Sequence, residues 1–260
     1  MSLGKPEAYP TSWMFSLFFR PSPDREEFLI AELWECGTTG IIEEDGGVRA
    51  FFEDLSLLPR FTSDAPELRE EQPIDWAQAT RDAWPPIIVG QRFFLTPPWC
   101  HLPTPPGRLR LPIYPGMACG TGRHPATQLA LEVIEQYVRP GDSVVDVGTG
   151  SGILAAAAAL VGAGRVIGCD IDPEAVRIAS QRLNSPLFAG SAAAIRSQSA
   201  DVVIANIDAA TIEELAAEFA RIRKPDSVLI LTGFPEWDAP AGFQAKGFRK
   251  REEWLCLVCC

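Results

Sequence analysis

The sequence predicts two domains: a doubly wound α/β domain with a seven-stranded, Rossmann-like sheet, and before it a small α+β domain of ferredoxin-like topology. From about Pro112 onward, short apolar runs alternate with amphipathic helical patterns, which is typical of parallel strands joined by helices. A glycine-rich loop follows the first of these strands. The first 60 residues instead follow the order strand, helix, strand, strand, with which a ferredoxin-like fold begins.

Three local patterns predict the small domain. The run "WMFSLFF" has the composition of a strand, and Pro23 with Asp24 begins a helix. The runs "GIIEE" and "VRAFFED" flank the turn Asp45–Gly47 and are predicted to pair as a hairpin. The helix is expected to bury one apolar stripe, which consists of Leu29, Ile30, Leu33 and Cys36.

The domain boundary is predicted from composition. The stretch from Pro59 to Pro73 is polar, charged and bounded by prolines, so we expect a linker over residues 61–73. The small domain then covers residues 1–60, and the large domain covers residues 74–260 with an N-terminal extension. The alternative assignment makes residues 74–95 a second helix and strand of the small domain.

The large domain's strands are read from its apolar runs. Five of them are separated by helical patterns and are predicted to be parallel: "SVVDV", "RVIGC", "PLFAG", "DVVIAN" and "SVLILTG". The closing segment "GFRKREEWLCLVCC" holds two more strands with no helix between them, which predicts an antiparallel hairpin at the sheet edge. In such a sheet, ligands bind at the carboxyl ends of the strands.

The helices of the large domain carry start and stop signals. Pro140 and Gly141 end the helix before the first strand. Asp172 followed by Pro173 predicts an N-cap and a first helical residue, for a helix that runs through Leu183. The later pair Thr211 and Glu214 has the spacing of a capping box.

Composition and charge exclude several classes of protein. The chain has 260 residues and a net charge of −11, which makes it a poor candidate for tracking nucleic-acid phosphates but suits a basic, lysine-rich partner. Its seven cysteines show no framework spacing, and no set of residues has the spacing of a metal site. No apolar run is long enough to span a membrane and no signal peptide is evident, so we expect a cytoplasmic protein.

The sequence "DVGTGSG" supplies a loop between a strand and a helix, as a nucleotide site requires. Its glycines Gly148, Gly150 and Gly152 are spaced G-x-G-x-G, and Ile153 stands where a dinucleotide fingerprint needs its last glycine. Asp170 ends the next strand, 22 residues after Gly148, and is placed to accept the hydroxyl groups of a ribose. Together these features favour S-adenosylmethionine over NAD.

Two further residues raise alternatives that the sequence leaves open. Asn206 ends the fourth strand, where its amide could satisfy backbone groups, hold the cofactor or orient an incoming nitrogen. His124 lies in the upstream loop "ACGTGRHPAT" and is a candidate base because histidine is a common general base, but no residue in the sequence pairs with it. We therefore expect His124 to be part of the loop scaffold or a neighbour of the cofactor, and we identify no general base.

Four segments together resemble one family. The segments "PGMACGTGRHPAT", "DVGTGSGILAAAA", "IGCDIDPEAV" and "DVVIANIDA" are similar to motifs of the ribosomal protein L11 methyltransferase (PrmA) family, and the resemblance runs nearly end to end. It implies cofactor contacts at Thr127, Gly148, Asp170 and Asn206. The chain departs from the family pattern at four positions near the site, which are Cys119, Arg123, Ala126 and Asp208.

The resemblance implies an S-adenosylmethionine-dependent protein lysine methyltransferase. Its small domain would grip a ribosomal protein, and its large domain would methylate that protein's amino groups. Asp208, beside Asn206, could attract the positively charged amine. Two alternatives remain open: a methyltransferase acting on another protein's lysine or on a small amine, and a cofactor-binding module without catalysis. The sequence does not determine the oligomeric state.

Overall fold

The structure is a computed structural model that describes residues 14–44, 46–52, 66–71, 81–114, 122–181, 183–235, 239–240 and 242–260. The chain divides into two compact units, Met1–Asp82 and Ala83–Cys260. No helix among the described residues is long and apolar enough to cross a membrane. The fold class predicted from the sequence is confirmed.

The first unit contains a four-stranded sheet. Its elements are β1 (Met14–Phe19), α1 (Pro23–Glu35), β2 (Gly40–Glu44), β3 (Gly47–Phe52) and β4 (Glu67–Glu71). The strand order is β2-β3-β1-β4, and every neighbouring pair is antiparallel, as in a ferredoxin-like domain. Its core includes Leu29 and Leu33 of the helix stripe, packed against the strands.

The predicted linker over residues 61–73 is wrong in part, because β4 lies within it. This strand pairs with β1, with Leu68 opposite Leu17, so the first unit extends beyond residue 60. Its charged sequence is that of a protected edge strand, which has a neighbour on one side only and tolerates exposed charge. The polar composition predicted a linker here, whereas the pairing with β1 makes this segment a strand. The predicted turn residue Asp45, like residues 72–80, lies outside the described part.

The second unit begins with a separate three-stranded sheet. Its strands are β5 (Ile87–Val89), β6 (Phe93–Thr96) and β7 (Leu109–Pro112), in the order β5-β6-β7. The first pair is antiparallel and the second is parallel. Residues 87–95 therefore pair within the second unit, and the alternative that gave residues 74–95 to the small domain is wrong over this part.

The main sheet of the second unit has seven strands. They are β8 (Ser143–Val147), β9 (Arg165–Asp170), β10 (Leu187–Ala189), β11 (Ala200–Asn206), β12 (Arg223–Phe234), β13 (Ala245–Arg251) and β14 (Trp254–Cys259). Their order is β10-β9-β8-β11-β12-β14-β13, with the first five parallel. The predicted closing hairpin is confirmed: β14 pairs antiparallel with both β12 and β13, and β13 is the edge strand.

The helices of this unit are α2 (Pro125–Tyr137), α3 (Ile153–Val161), α4 (Pro173–Ser180) and α5 (Ala209–Ile222). Alternate residues of each strand supply two cores on opposite faces of the sheet. Val144 joins the core that α2 and α3 build, whereas Val145 joins the core beneath α5. The fully buried strands explain why the sequence shows continuous apolar runs rather than alternation.

The predicted helix starts are confirmed at one site and corrected at another. Asp172 caps α4 as predicted, and its carboxylate accepts a hydrogen bond from the Glu174 amide at 2.9 Å. The helix ends at Ser180, before the predicted Leu183. The predicted capping box at Thr211 is wrong because Asp208, a stronger cap, begins α5 three residues earlier.

Candidate active site

Three neighbouring strand ends form the candidate site. The order β9-β8-β11 places the glycine loop (Gly148–Gly152), which follows β8, between Asp170 at the end of β9 and Asn206 at the end of β11. The strands are parallel, so these residues meet at one edge of the sheet. The structure therefore brings these predicted residues together, and their role in binding a cofactor stays a prediction.

The glycine loop turns sharply after β8. The amides of Gly148 and Thr149 both donate to the Cys169 carbonyl, at 2.8 and 3.0 Å. Gly148 has a φ of +70°, and a Cβ built on it would lie 2.4 Å from Cγ2 of Ile207. Glycine is therefore required here for two reasons, a left-handed backbone and a close approach to the chain after β11.

Asp146, the second-last residue of β8, holds this loop in place through hydrogen bonds from its buried side. Its Oδ2 accepts hydrogen bonds from the Thr149 hydroxyl at 2.7 Å and from the Ala155 amide at 3.1 Å. The other oxygen, Oδ1, is buried and has no hydrogen-bond partner among the residues that the structure describes. Burial raises the pKa of this carboxyl group to about 6, although both hydrogen bonds oppose the shift.

The position of Asp146 also indicates which charge a ligand of this site should carry. Ala155 is the third residue of α3, and its amide is one that a phosphate would use at a helix N-terminus. A carboxylate already occupies it, and the nearby charge of Asp170 adds to the negative potential that raises the pKa of Asp146. The site is therefore unfavourable for a pyrophosphate and favourable for a ligand that carries positive charge.

We expect Asp146 to give stability a distinctive pH dependence. Its native pKa lies above the unfolded value of about 3.9, so the native state binds more protons between these values and stability falls as the pH rises. A native pKa of about 6, against about 3.9 in the unfolded chain, corresponds to about 3 kcal/mol of stability lost between about pH 4 and 6. In Asp146→Asn this loss should disappear, as measured by denaturant unfolding across that range.

The matched control for this measurement is Asp208→Asn. The Thr211 hydroxyl, followed by the Thr211 amide, lowers the pKa of Asp208, so its stabilising effect is present at neutral pH and is lost as the pH falls. The two variants should therefore differ from the parent protein with opposite pH slopes. Parallel pH profiles for the parent and Asp146→Asn would contradict the role given to Asp146.

Asp170 is fixed by the loops on both sides of it. Its Oδ2 accepts from the Gly150 amide at 2.8 Å, and its Oδ1 accepts from the Asp172 amide at 3.0 Å. Each carboxylate oxygen can accept two hydrogen bonds, so one position on each stays available. The structure thus joins two residues that the sequence placed in the same site, Gly150 and Asp170.

Asn206 and Thr127 meet although 79 positions separate them. The Asn206 Nδ2 donates to the Thr127 hydroxyl at 3.1 Å, and Thr127, on α2, is 1% exposed. In the described part of the chain, Asn206 makes no side-chain hydrogen bond to a backbone group, so the interpretation that it merely satisfies the strand–loop junction is not supported. Its carbonyl oxygen and its second amide hydrogen remain available.

His124 is a structural residue of the upstream loop. It is the N-cap of α2, and its Nδ1 accepts a hydrogen bond from the Ala126 amide at 3.3 Å. Its ring meets the Trp254 ring edge-on, with centroids 4.3 Å apart. An accepting Nδ1 assigns the proton of the neutral ring to Nε2. These contacts match the scaffold interpretation of His124 rather than that of a base.

Arg123 makes contacts that the sequence did not predict. Its Nη2 donates to the Pro85 carbonyl at 2.8 Å, and its guanidinium carbon lies 5.0 Å from the centre of the Trp84 ring. The departure from the family pattern at position 123 was the feature of the sequence that could have pointed to these contacts. Gly122, just before it, is buried against Leu95 and Ile153. The other predicted loop residues, including Cys119 and Gly120, lie outside the described part.

Asp208 has a structural role. Its Oδ1 accepts from the Thr211 amide at 2.9 Å and its Oδ2 from the Thr211 hydroxyl at 2.7 Å. Both carboxylate oxygens thus cap α5, which weakens the case for Asp208 as the residue that attracts an amine. Within the described ranges, no three His, Cys, Asp or Glu side chains cluster in a way that could hold a metal ion.

The fold and the site define an S-adenosylmethionine-dependent methyltransferase. Residues 48–260 match the family described as ribosomal protein L11 methyltransferase (PrmA). The chain belongs to this family, as the resemblance in the sequence implied.

Individual relatives agree with this assignment. The chain is 38% identical over 214 residues to a ribosomal protein L11 methyltransferase from Burkholderia mallei, covering 78% of this chain and 69% of that protein. It is 36% identical over 222 residues to one from Deinococcus radiodurans, covering 81% of each. The crystal structure of the ribosomal protein L11 methylase from Lactobacillus delbrueckii subsp. bulgaricus matches with a TM-score of 0.61 and 28% identity, over 67% of this chain and 97% of that one.

Proposed function

We propose that this protein methylates lysine amino groups of ribosomal protein L11, with S-adenosylmethionine as the methyl donor. Membership of the family supports L11 as the substrate. One structural observation supports the proposal most directly. The Asn206–Thr127 pair stands at the end of β11, beside a loop whose buried carboxylate disfavours phosphate and favours a cationic cofactor. S-adenosylmethionine carries a sulfonium and an ammonium group, and when bound it supplies an electrophilic methyl group.

Five residues would hold the cofactor. The backbone of Gly148 and Gly150 allows close approach along the loop, and Asp170 has free acceptor positions for the two ribose hydroxyls. Thr127 and Asn206 complete the site from α2 and β11. One carboxylate, a hydroxyl and an amide face the cofactor, and the Asp146 carboxylate lies behind the loop, so the residues present fit the cofactor's positive charge.

The acceptor amine has to be neutral when it attacks. A free lysine has a pKa of about 10.4, so only about one part in a thousand is neutral near pH 7.4. The Asn206 carbonyl oxygen could accept a hydrogen bond from the amine and direct its lone pair, which is a positioning role. Desolvation in the site would favour the neutral form, with water taking the proton.

The small unit would grip the substrate, as the family resemblance implies. The chain's net charge of −11 favours encounter with a basic, lysine-rich protein. This proposal implies a cytoplasmic location, where ribosomal proteins are available as substrates. Direct binding of nucleic acid and association with membranes form no part of it.

We expect Asp170→Ala to weaken cofactor binding by about 1–3 kcal/mol, because hydrogen bonds to a charged group are lost. Calorimetric titration with S-adenosylmethionine measures this change. Asp142→Ala is the matched control, because this half-buried aspartate at the other end of β8 bonds the Arg139 amide instead. An affinity unchanged in Asp170→Ala would remove Asp170 from the site.

The test of the function is the intact mass of ribosomal proteins after reaction with the purified enzyme and S-adenosylmethionine. We expect L11 to gain mass in steps of one methyl group, and a reaction with Asn206→Ala to serve as the matched control. Methylation of another protein, or of a small amine only, would identify a different substrate. Cofactor binding without any methyl transfer would support the non-catalytic module.

A further inference from the structure

A cavity of about 730 Å³ opens at the end of the sheet opposite to the candidate active site. It is lined by residues at or next to the amino-terminal ends of the parallel strands, namely Ser143, Arg165, Pro186, Ser199 and Lys224. The cofactor residues lie at the carboxyl ends of the same strands. The cavity is therefore separate from the site already described.

The short crossover from β10 to β11 explains the cavity. Crossovers between parallel strands usually contain a helix that covers one sheet face. Here residues 190–199 contain only a 3₁₀ turn, Ala192–Ala194. Val145, Ile167 and Phe188 lie on one face of three adjacent strands, and they form an apolar floor beneath this turn. The face that a helix would have covered is thus only partly filled.

The charged side chains that line the cavity are basic. Its three charged lining residues, Arg165, Arg196 and Lys224, are all basic in a chain whose net charge is −11. Lys224 is paired with Asp201, with its Nζ 2.7 Å from Oδ2. Arg165 and Arg196 are exposed, and neither forms an ion pair with any residue in the described ranges. Two guanidinium groups therefore remain free to bind an anion, and their fork geometry suits phosphate.

We infer that this cavity binds a nucleoside phosphate, with the flat base on the apolar floor and the phosphate between Arg165 and Arg196. The volume is within the range of small-ligand sites, about 300–1,000 Å³. The Phe188 ring offers a surface on which a base can stack, and the side chain of Gln198 offers hydrogen bonds to its polar edge. An inorganic ion would leave the apolar floor unused.

The test is calorimetric titration of the full chain with ADP, with S-adenosylhomocysteine present in excess so that adenine does not enter the cofactor site. We expect one ADP per chain, and an affinity at least about tenfold lower in Arg165→Gln/Arg196→Gln. Arg177→Gln is the matched control, because this exposed arginine on α4 pairs with Glu174 and does not line the cavity. Phe188→Leu should weaken ADP more than inorganic phosphate.

Four results would overturn the inference. These are absence of binding at millimolar ADP, equal affinity in the double arginine variant, inorganic phosphate binding as tightly as ADP, and a short RNA binding more tightly than ADP. The site is independent of the proposed methyl transfer, so loss of ADP binding in the arginine variants should leave S-adenosylmethionine affinity unchanged. Thermal unfolding of each variant confirms that it is folded.

Discussion

Gly148→Ala is expected to lower cofactor affinity by about a hundredfold, because misplacement of binding groups by about 1 Å has effects of this size. The new Cβ would lie 2.4 Å from Cγ2 of Ile207, which directly follows Asn206. Relief of this contact has to displace either the glycine loop or the end of β11. A left-handed alanine and an overpacked contact together should also cost about 3 kcal/mol of unfolding free energy.

The control for Gly148→Ala is Gly141→Ala. Gly141 also has a positive φ, +92°, but a Cβ on it would meet nothing within 4 Å. This variant should lose about 1 kcal/mol of stability and keep its cofactor affinity. The double variant Gly148→Ala/Ile207→Ala should recover much of the lost affinity, because the clashing methyl group is removed. Equal affinity of Gly148→Ala and the parent protein would contradict the close approach.

Asn206→Ala is expected to reduce the rate of methyl transfer by about a hundredfold, the usual cost of removing one well-placed hydrogen-bonding group from an active site. The Asn206 amide bonds the buried Thr127 hydroxyl, and its carbonyl oxygen faces no partner among the described residues. Thr127→Val should cost less, about tenfold, because the amide stays but loses its anchor. Steady-state kinetics with L11 would show whether kcat or KM changes.

The hydrogen bond between the Asn206 and Thr127 side chains leads to a second expectation. Because Asn206 and Thr127 share one interaction, the double variant should be slowed by less than the product of the single effects. Thr232→Val is the matched control: this buried threonine bonds the Leu255 carbonyl at 2.7 Å in the same sheet. It should lower stability without a specific loss of turnover. Independent effects of Asn206 and Thr127 would argue against a shared role.

Much of the fold could be predicted because its signals are local. Buried parallel strands such as "SVVDV" are continuous apolar runs, and Asp172–Pro173 is a helix start that depends on adjacent residues only. The charged strand β4 escaped prediction because only its pairing with β1 defines it. The start of α5 was misplaced because two capping patterns overlap, and only the structure shows Asp208 bonding Thr211.

Residue types at fixed spacing were enough to predict the family, the succession of the main strands along the chain and the residues of the glycine loop. The remaining features became visible only in the folded structure. Folding brings Asn206 to Thr127, buries one oxygen of Asp146 with no hydrogen-bond partner among the residues that the structure describes, and makes His124 a helix cap. It also leaves a cavity whose charged lining side chains are basic, at the far end of the sheet. Burial, pairing and open space depend on residues distant in the chain, so no local pattern encodes them.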